Sequence, residues 1–275
     1  MSLVWAGLVV AAVTVVTVTA MLLVRRGAPA GSYFEDGDRA AGVFGVLATG
    51  FAVLLGFVVF LAFESYDTSR SGAETEAQIV TQQFETAQLF PVAARAPLSG
   101  ALVCYARTVI HQEWAEMEAG TLGDKANPWG VVTFRILRNA EPRSATEQAA
   151  YAKWLDERSD REQARTDRIH GGEGVIPVPL WIVLLLTAGV IFVFMLFFAD
   201  SAERAIVQAT LMGGVAIVIS SMLLLLWFLD NPYHKGVGGL RPVAMERAIR
   251  ILDQEAAEVG GKLTIPCDEQ GVARS

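Results

Sequence analysis

The four longest apolar segments of the sequence contain no charged residue. They cover residues 3–24, 41–63, 176–199 and 206–229. Each has about the ~20 residues that a helix needs to cross a hydrocarbon core. Intramembrane enzymes and proton-coupled transporters place ionisable side chains within their spans, so this absence argues against both. It predicts an all-α polytopic membrane protein with four transmembrane helices.

The sequence is also poor in motifs for catalysis and for metal or nucleotide binding. Its three histidines, His111, His170 and His234, are far apart and lack metal-ligand spacing. The glycine-rich residues 171–174 lack the lysine and the strand of a phosphate-binding loop. We therefore expect no enzymatic activity and no resident cofactor.

A basic surface is missing as well. The 275 residues carry a net charge of −7, and 53% of them are hydrophobic. Nucleic-acid binding needs clustered positive charge, so nucleic acid is excluded as a partner. The lipid bilayer is the partner that the composition predicts.

Four crossings divide the chain into alternating segments. The predicted organisation is transmembrane helices 1 and 2 (1–63), a helical extramembrane domain (64–175), transmembrane helices 3 and 4 (176–229), and a C-terminal connector, amphipathic helix and tail that pack with that domain (230–275). The two short loops on the opposite side carry Arg25, Arg26, Arg39 and Arg204. Positive charge in short loops marks the cytoplasmic side. The charge pattern therefore predicts that the domain and both termini lie outside, which in a bacterial inner membrane is the periplasmic side.

The extramembrane segment has helical periodicity and no alternating strand pattern. Helices are predicted over 64–89 and 98–118, with a loop over 120–130. A last amphipathic helix is predicted from Pro242 to about Val259, before two glycines that suit a helix stop.

A capping box at Ser144 and Glu147 predicts a helix that extends to about residue 169. Its second half, residues 156–168, alternates in charge, and Glu157 is spaced to pair with Arg161. This pattern is typical of a solvated face; a docking surface is the alternative.

The two cysteines, Cys104 and Cys267, fall on the same side of the membrane. They could pair in an oxidising compartment and tie the C-terminal tail to the domain. Two unpaired thiols are the other reading, and the spacing does not choose between them.

The second transmembrane helix carries a stripe of small residues that ends in aromatic ones. Its candidate pore-lining members are Gly45, Thr49, Ala52, Gly56, Phe60 and Phe63. Small residues allow close helix packing in lipid. Alternatively, copies of this helix surround an axis and the phenylalanines form an apolar constriction that gates by dewetting. Heptad counting continues the stripe beyond the membrane, through Arg70, Ala73, Ala77, Val80, Phe84 and Ala87.

Three carboxylates follow at the same end of the membrane: Glu64, Asp67 and Asp230. At a pore mouth they would attract cations and could hold a divalent ion such as calcium. The alternative is that they form ion pairs with Arg70, Arg107 or Arg241.

Several short motifs, taken in order, resemble the bestrophin-like family of bacterial and plant membrane proteins. They are Ala62-Phe-Glu64-Ser-Tyr66-Asp67, Glu74-Thr-Glu76-Ala77, Tyr105, Glu113-Trp114, Pro177-x-Pro179-Leu-Trp181 and Leu229-Asp230-Asn231-Pro232. The family is a domain of unknown function whose name implies kinship with bestrophins, which are homopentameric anion channels with a pore lined by the second helix. The resemblance therefore implies a ring-shaped homo-oligomer, with a pentamer favoured. Two features here differ from bestrophins: the domain is predicted outside rather than in the cytosol, and the acidic mouth suits cations.

Together these features predict a homo-oligomeric ion channel with a pore lined by transmembrane helix 2. The alternative is a non-conducting membrane-anchored sensor or scaffold whose domain binds a partner, with residues 156–168 as its working surface.

Overall fold

A computed structural model describes residues 3–172, 174–258 and 263–274. Regular structure in these residues is helical, apart from one isolated bridge between Cys267 and Ala273. The helices are α1 (Leu3–Arg25), α2 (Gly37–Ala87), α3 (Val92–Thr108), a π-helical turn (Val109–Glu113), α4 (Trp114–Glu118), α5 (Pro128–Arg138), α6 (Ala145–Ile169), α7 (Val178–Leu196), α8 (Ala205–Asp230) and α9 (Val243–Glu258). Four of them, α1, α2, α7 and α8, are long and apolar enough to cross a membrane, which confirms the predicted fold class.

The chain divides into two compact units. Unit 1 comprises residues 1–65 and 174–238, and unit 2 comprises residues 66–173 and 239–275. The 51-residue helix α2 contributes its first part to unit 1 and its second part to unit 2.

The main packing cluster of unit 1 consists of apolar side chains. One face of α2, represented by Leu55, Val58 and Ala62, packs with Leu184 of α7 and Leu226 of α8. Helix α1 lies along α8, where Gly213 faces Thr14 and Val18; a Cβ added to this glycine would lie 3.4 Å from Val18 Cγ2. Shape complementarity between small and branched side chains therefore holds these spans together.

The loops at the α1–α2 end of unit 1 are joined by polar contacts. The Arg25 guanidinium donates to the carbonyl oxygens of Ser201 and Glu203. The Asp200 carboxylate accepts from the backbone N–H groups of Gly31 and Ala202, at 3.0 and 2.7 Å. These bonds satisfy backbone groups of the loop residues, which have no partner within a helix.

Unit 2 is built around α3, which is buried along most of its length. The predicted capping box is present: Ser144 Oγ accepts from the Glu147 N–H, and the Glu147 carboxylate accepts from the Ser144 N–H. The helix that follows, α6, ends at Ile169 as predicted.

Three boundaries differ from the sequence prediction. Helix α3 begins at Val92, before Pro97, because a proline removes only one helical hydrogen bond and tertiary packing compensates for it. The predicted loop over 120–130 ends early, since Asn127 accepts from Trp129 N–H and caps α5. The last helix is described to Glu258; its predicted end at Val259 and the two glycines lie outside the described residues.

Candidate functional site

The stripe on α2 faces away from the core of unit 1. All six candidate pore-lining residues are exposed, and Phe60 and Phe63 are 61% and 54% accessible. At roughly 100° per residue, the centre of this stripe lies about 120° around the helix from the buried face formed by Leu55, Val58 and Ala62. We call the stripe side the open face of α2.

The glycines of the open face contact nothing else in the described chain. A Cβ added to Gly45 or Gly56 would meet no atom within 4 Å, whereas one added to Gly213 on α8 would. Close packing of these glycines within one chain therefore does not explain the small residues. This face is therefore left to lipid, to water or to another copy of the chain.

The open face continues beyond the apolar span with different residues from those that the sequence predicted. Heptad counting led from Arg70 to Ala73 and Val80, but Ala73 and Val80 are buried in unit 2. A straight α-helix drifts by about 20° per heptad, so over several heptads the counted positions rotate into the core. The exposed continuation of α2 is polar and contains Asp67, Arg70, Glu74, Gln78, Gln82 and Glu85.

The three mouth carboxylates have different surroundings. Glu64 and Asp67 are exposed and have no ion pair within the described part of the chain. Asp230 is buried: its carboxylate accepts from the N–H groups of Val175 and Ile176, at 2.8 and 2.9 Å, and from Trp181 Nε1 at 3.1 Å. Its oxygens therefore anchor the segment entering α7 and are not open to an ion.

Two of the three arginines proposed as partners for these carboxylates make other contacts, and the third, Arg241, has no ion pair among the described residues. Arg70 pairs with Glu74 at 3.3 Å, and Arg107 donates to the Asp268 carbonyl at 2.9 Å. Among the described residues, the structure brings together no group of three or more potential metal-ligating side chains.

Unit 2 contains a buried ionic cluster that sequence reasoning missed. Arg168 of α6 is fully buried and donates to Glu76 of α2 and to Glu113 at the end of the π-helical turn. Arg165 donates to Glu113 at 3.1 Å, and the Tyr105 hydroxyl donates to Glu76 at 2.5 Å. Four helical segments thereby meet around two carboxylates.

Burial and charge act in opposite directions in this cluster. Burial alone would raise the pKa of Glu113, but the Arg168 and Arg165 guanidiniums hold this pKa below its ordinary value. Burial, reinforced by the negative charge of Glu76, raises the pKa of Tyr105. These two directions keep the Glu113 carboxylate charged and the Tyr105 hydroxyl neutral.

One side of the charged half of α6 is a core face, whereas Asp156 and Asp160 on the other side are exposed, so the prediction of a solvated face is correct for one side only. Glu157, Arg161, Arg165 and Arg168 are all buried. Arg161 donates to Gln83 at 2.6 Å and lies over the Tyr105 ring, while Glu157 accepts from Thr86 at 3.0 Å. The predicted pair between Glu157 and Arg161 is wrong: Glu157 pairs with Lys153 at 3.4 Å and Arg161 with Glu162 at 3.6 Å, while α2 supplies hydrogen-bond partners that lie far away in sequence.

Comparison with known proteins assigns the chain to a family. A family model, the bestrophin-like domain, matches residues 11–244. The chain belongs to the bestrophin-like family. A comparison with curated proteins found no match.

Solved structures share the fold of this bestrophin-like chain. One variant of a bacterial bestrophin homologue from Klebsiella pneumoniae has a TM-score of 0.68 at 13% identity, covering 92% of this chain and 99% of that one. A second variant of that homologue has a TM-score of 0.66 at 14% identity, with coverages of 92% and 98%. A structure described as a membrane protein variant gives 0.64 at 13%, with coverages of 89% and 97%.

A disulfide in this bestrophin-like chain joins Cys104 of α3 to Cys267 of the tail. The structure thus decides between the two readings that the spacing left open. Around the bond, the Gly271 carbonyl accepts from Trp129 Nε1 at 2.7 Å and from Thr108 Oγ1 at 3.2 Å. The tail is consequently an integral part of unit 2.

Proposed function

We propose that this bestrophin-like chain assembles into a ring and conducts ions along an axis lined by the open face of α2. The observation that supports this most strongly is the exposure of the whole stripe, which is turned away from the well-packed face of the same helix. Family membership favours the same assembly, with five copies as the expected number. Small side chains around an axis would leave a wide passage.

Phe60 and Phe63 are the proposed constriction. Both are aromatic, both are more than half exposed, and they follow the small residues along the same face. A ring of such side chains can close a path by excluding water. Their replacement by alanine would widen and hydrate the path.

Cations are the proposed permeant ions. Glu64 and Asp67 lie just beyond the phenylalanines and are exposed, so copies of both would surround the mouth. Their negative charge would concentrate cations there. We also propose that these two carboxylates, from neighbouring copies, could bind a divalent ion such as calcium. Asp230 is not part of this site, because its oxygens already accept hydrogen bonds within the chain.

We also propose that unit 2 faces the outside of a bacterial inner membrane. The disulfide between Cys104 and Cys267 favours an oxidising compartment. Arg25, Arg26 and Arg204 lie in the short loops at the opposite end, which favours a cytoplasmic location for those loops. Two independent features thus support one orientation.

The non-conducting alternative has less support. Its predicted working surface included Arg161, Arg165 and Arg168, and all three are buried. A partner could reach only the outer side of α6.

Ion flux in liposomes tests the channel. We expect the purified protein to pass monovalent cations, and Phe60→Ala with Phe63→Ala to raise the flux. Phe51→Ala is the matched control, since Phe51 lies on the buried face of the same helix. Absence of flux for every common ion, in both the natural sequence and the double variant, would rule the channel out.

Cysteine labelling in intact cells tests the orientation. Asp124→Cys lies in an exposed loop of unit 2, and Ser201→Cys lies in a loop at the other end of unit 1. A membrane-impermeant maleimide should label the first variant and spare the second. The reverse pattern would place unit 2 in the cytoplasm.

A further inference from the structure

Thr49 has the one polar side chain in the apolar segment of α2. All other residues from 41 to 63 are glycine, alanine, aliphatic residues or phenylalanine. Thr49 is exposed on the open face, near the middle of the span, and lies roughly 16 Å along the helix axis from Phe60 at the α-helical rise. Without this side chain, an ion that moved along the open face would pass only hydrocarbon side chains within the span.

Several other hydroxyl groups in the spans donate to the backbone of their own helix. The exposed Thr210 of α8 donates to the Ile206 carbonyl at 2.8 Å, and Thr187 of α7 donates to the Val183 carbonyl at 2.7 Å. The same bond to the carbonyl four residues earlier is made by Thr14, Thr17 and Ser220. Such a bond satisfies the hydroxyl hydrogen where lipid offers no acceptor.

The Thr49 hydroxyl makes no such bond. It has no hydrogen-bond partner among the described residues, and the corresponding acceptor would be the Gly45 carbonyl. Thr19 of α1 and Ser221 of α8 also lack a partner there, but neither belongs to the open face. A hydroxyl without a partner is costly in hydrocarbon, whereas water or an ion would satisfy it. Thr49 is thus distinguished by a free hydroxyl on the face that is proposed to line the path.

We propose that the Thr49 hydroxyls of the assembled copies form a ring that coordinates monovalent cations midway across the membrane. An oxygen lone pair of each hydroxyl would replace part of the hydration shell of the ion, and neutral oxygens bind weakly enough to release it. Cations are the matching ions, because the exposed carboxylates Glu64 and Asp67 would concentrate them at the mouth of the same path. The inference rests on the proposed channel and adds an ion-binding step to it.

Single-channel recording of potassium current in planar bilayers tests the hydroxyl ring. Thr49→Val keeps the branched shape and removes the hydroxyl, whereas Thr49→Ser keeps the hydroxyl and removes a methyl group. We expect Thr49→Val to lower the conductance by about two- to tenfold, the factor that corresponds to the loss of one ordinary hydrogen-bond contribution. Thr49→Ser should stay close to the natural sequence. Thr210→Val, which removes a hydroxyl bonded to its own helix, is the matched control and should leave the conductance unchanged.

The outcomes separate the hydroxyl ring from the channel itself. If the natural sequence conducts and Thr49→Val conducts equally well, the ring is overturned and the channel stands. The ring is also overturned if Thr49→Ser loses as much conductance as Thr49→Val, or if Thr49→Val lowers the oligomeric fraction in detergent, because Thr49 would then act through packing. Absence of current from the natural sequence would overturn the channel and the ring together.

Discussion

The two units handle charge in opposite ways. The main packing cluster of unit 1 is apolar, and its four spans carry no charge within their hydrocarbon-length segments. The core of unit 2 buries Glu76, Glu113, Arg165 and Arg168 in one connected cluster. Lipid offers an isolated charge no partner, whereas unit 2 supplies each buried charge with an opposite one. The stability of unit 1 should therefore depend mainly on the shape of its packed side chains, and the stability of unit 2 on keeping both members of each buried ion pair.

Removal of a guanidinium from the buried cluster should give the largest effect. Arg168→Met leaves Glu76 and Glu113 buried with fewer partners, and breaking a buried ion pair costs about 3–5 kcal/mol. We expect a loss of that size in the free energy of unfolding of unit 2, measured by denaturant titration followed by tryptophan fluorescence. The exposed Arg250→Met is the control. A loss below about 1 kcal/mol would show that the cluster does not stabilise the unit.

Loss of the disulfide should come second. Cys104 and Cys267 are separated by 163 residues, so the bond restricts the unfolded chain strongly. We expect the double variant Cys104→Ser and Cys267→Ser to lose about 2–5 kcal/mol of stability in unit 2. A reductant should lower the stability of the natural sequence and leave the variant unchanged. Equal stability of the two proteins without reductant would contradict this.

Two glycines of α2, one in each unit, should respond differently to the addition of a methyl group. A Cβ on Gly72 would lie 2.5 Å from Arg168 N and 2.8 Å from the Ala164 carbonyl, so Gly72→Ala should cost about 1–3 kcal/mol through overpacking. Gly56→Ala meets open space and should leave stability unchanged or slightly higher. It should nonetheless reduce ion flux by narrowing the path. Thermal unfolding and liposome flux on both variants measure this contrast, and a destabilising Gly56→Ala would contradict it.

The smallest expected effect is a change in how the stability of unit 2 depends on pH when Glu113 is replaced. The pKa of Glu113 is lower when folded than when unfolded, so its stabilisation is complete above the unfolded value of about 4.3. The stabilisation is lost as the pH falls through the folded pKa. Glu113→Gln should lower the stability of unit 2 at pH 7 and make its decline with acid shallower. Parallel curves for the variant and the natural sequence would contradict this.

The transmembrane helices were predictable because hydrophobicity over about 20 residues is a local signal. The capping box of α6 was predictable for the same reason, since Ser144 and Glu147 are three residues apart. The ionic cluster was not, because Arg168 lies 92 residues from Glu76 in the chain. Alternating charge on α6 looks like a solvated helix until its distant partners on α2 are known.

The candidate site was predictable only in part. The small and aromatic residues from Gly45 to Phe63 could be found because the spans give them a common helical face. Asp230 was predicted to lie at the pore mouth because it ends its span on the same side of the membrane as Glu64. Its hydrogen bonds to Val175 and Ile176 could not be predicted, because they depend on how the chain folds before α7. The sequence does contain one signal for the contact between α2 and α6. Gly72, which lies against Arg168, is a glycine within a long polar helical segment, and such a glycine indicates close packing of another helix.

The central claim is that the open face of α2 lines a water-filled path. Thiol modification during flux tests it most directly, with Thr49→Cys on the open face and Val58→Cys on the buried face. The account predicts that a water-soluble, positively charged thiosulfonate reduces cation flux through the Thr49→Cys protein and leaves the Val58→Cys protein unaffected. Equal reaction of both, or block through Val58→Cys alone, would contradict it.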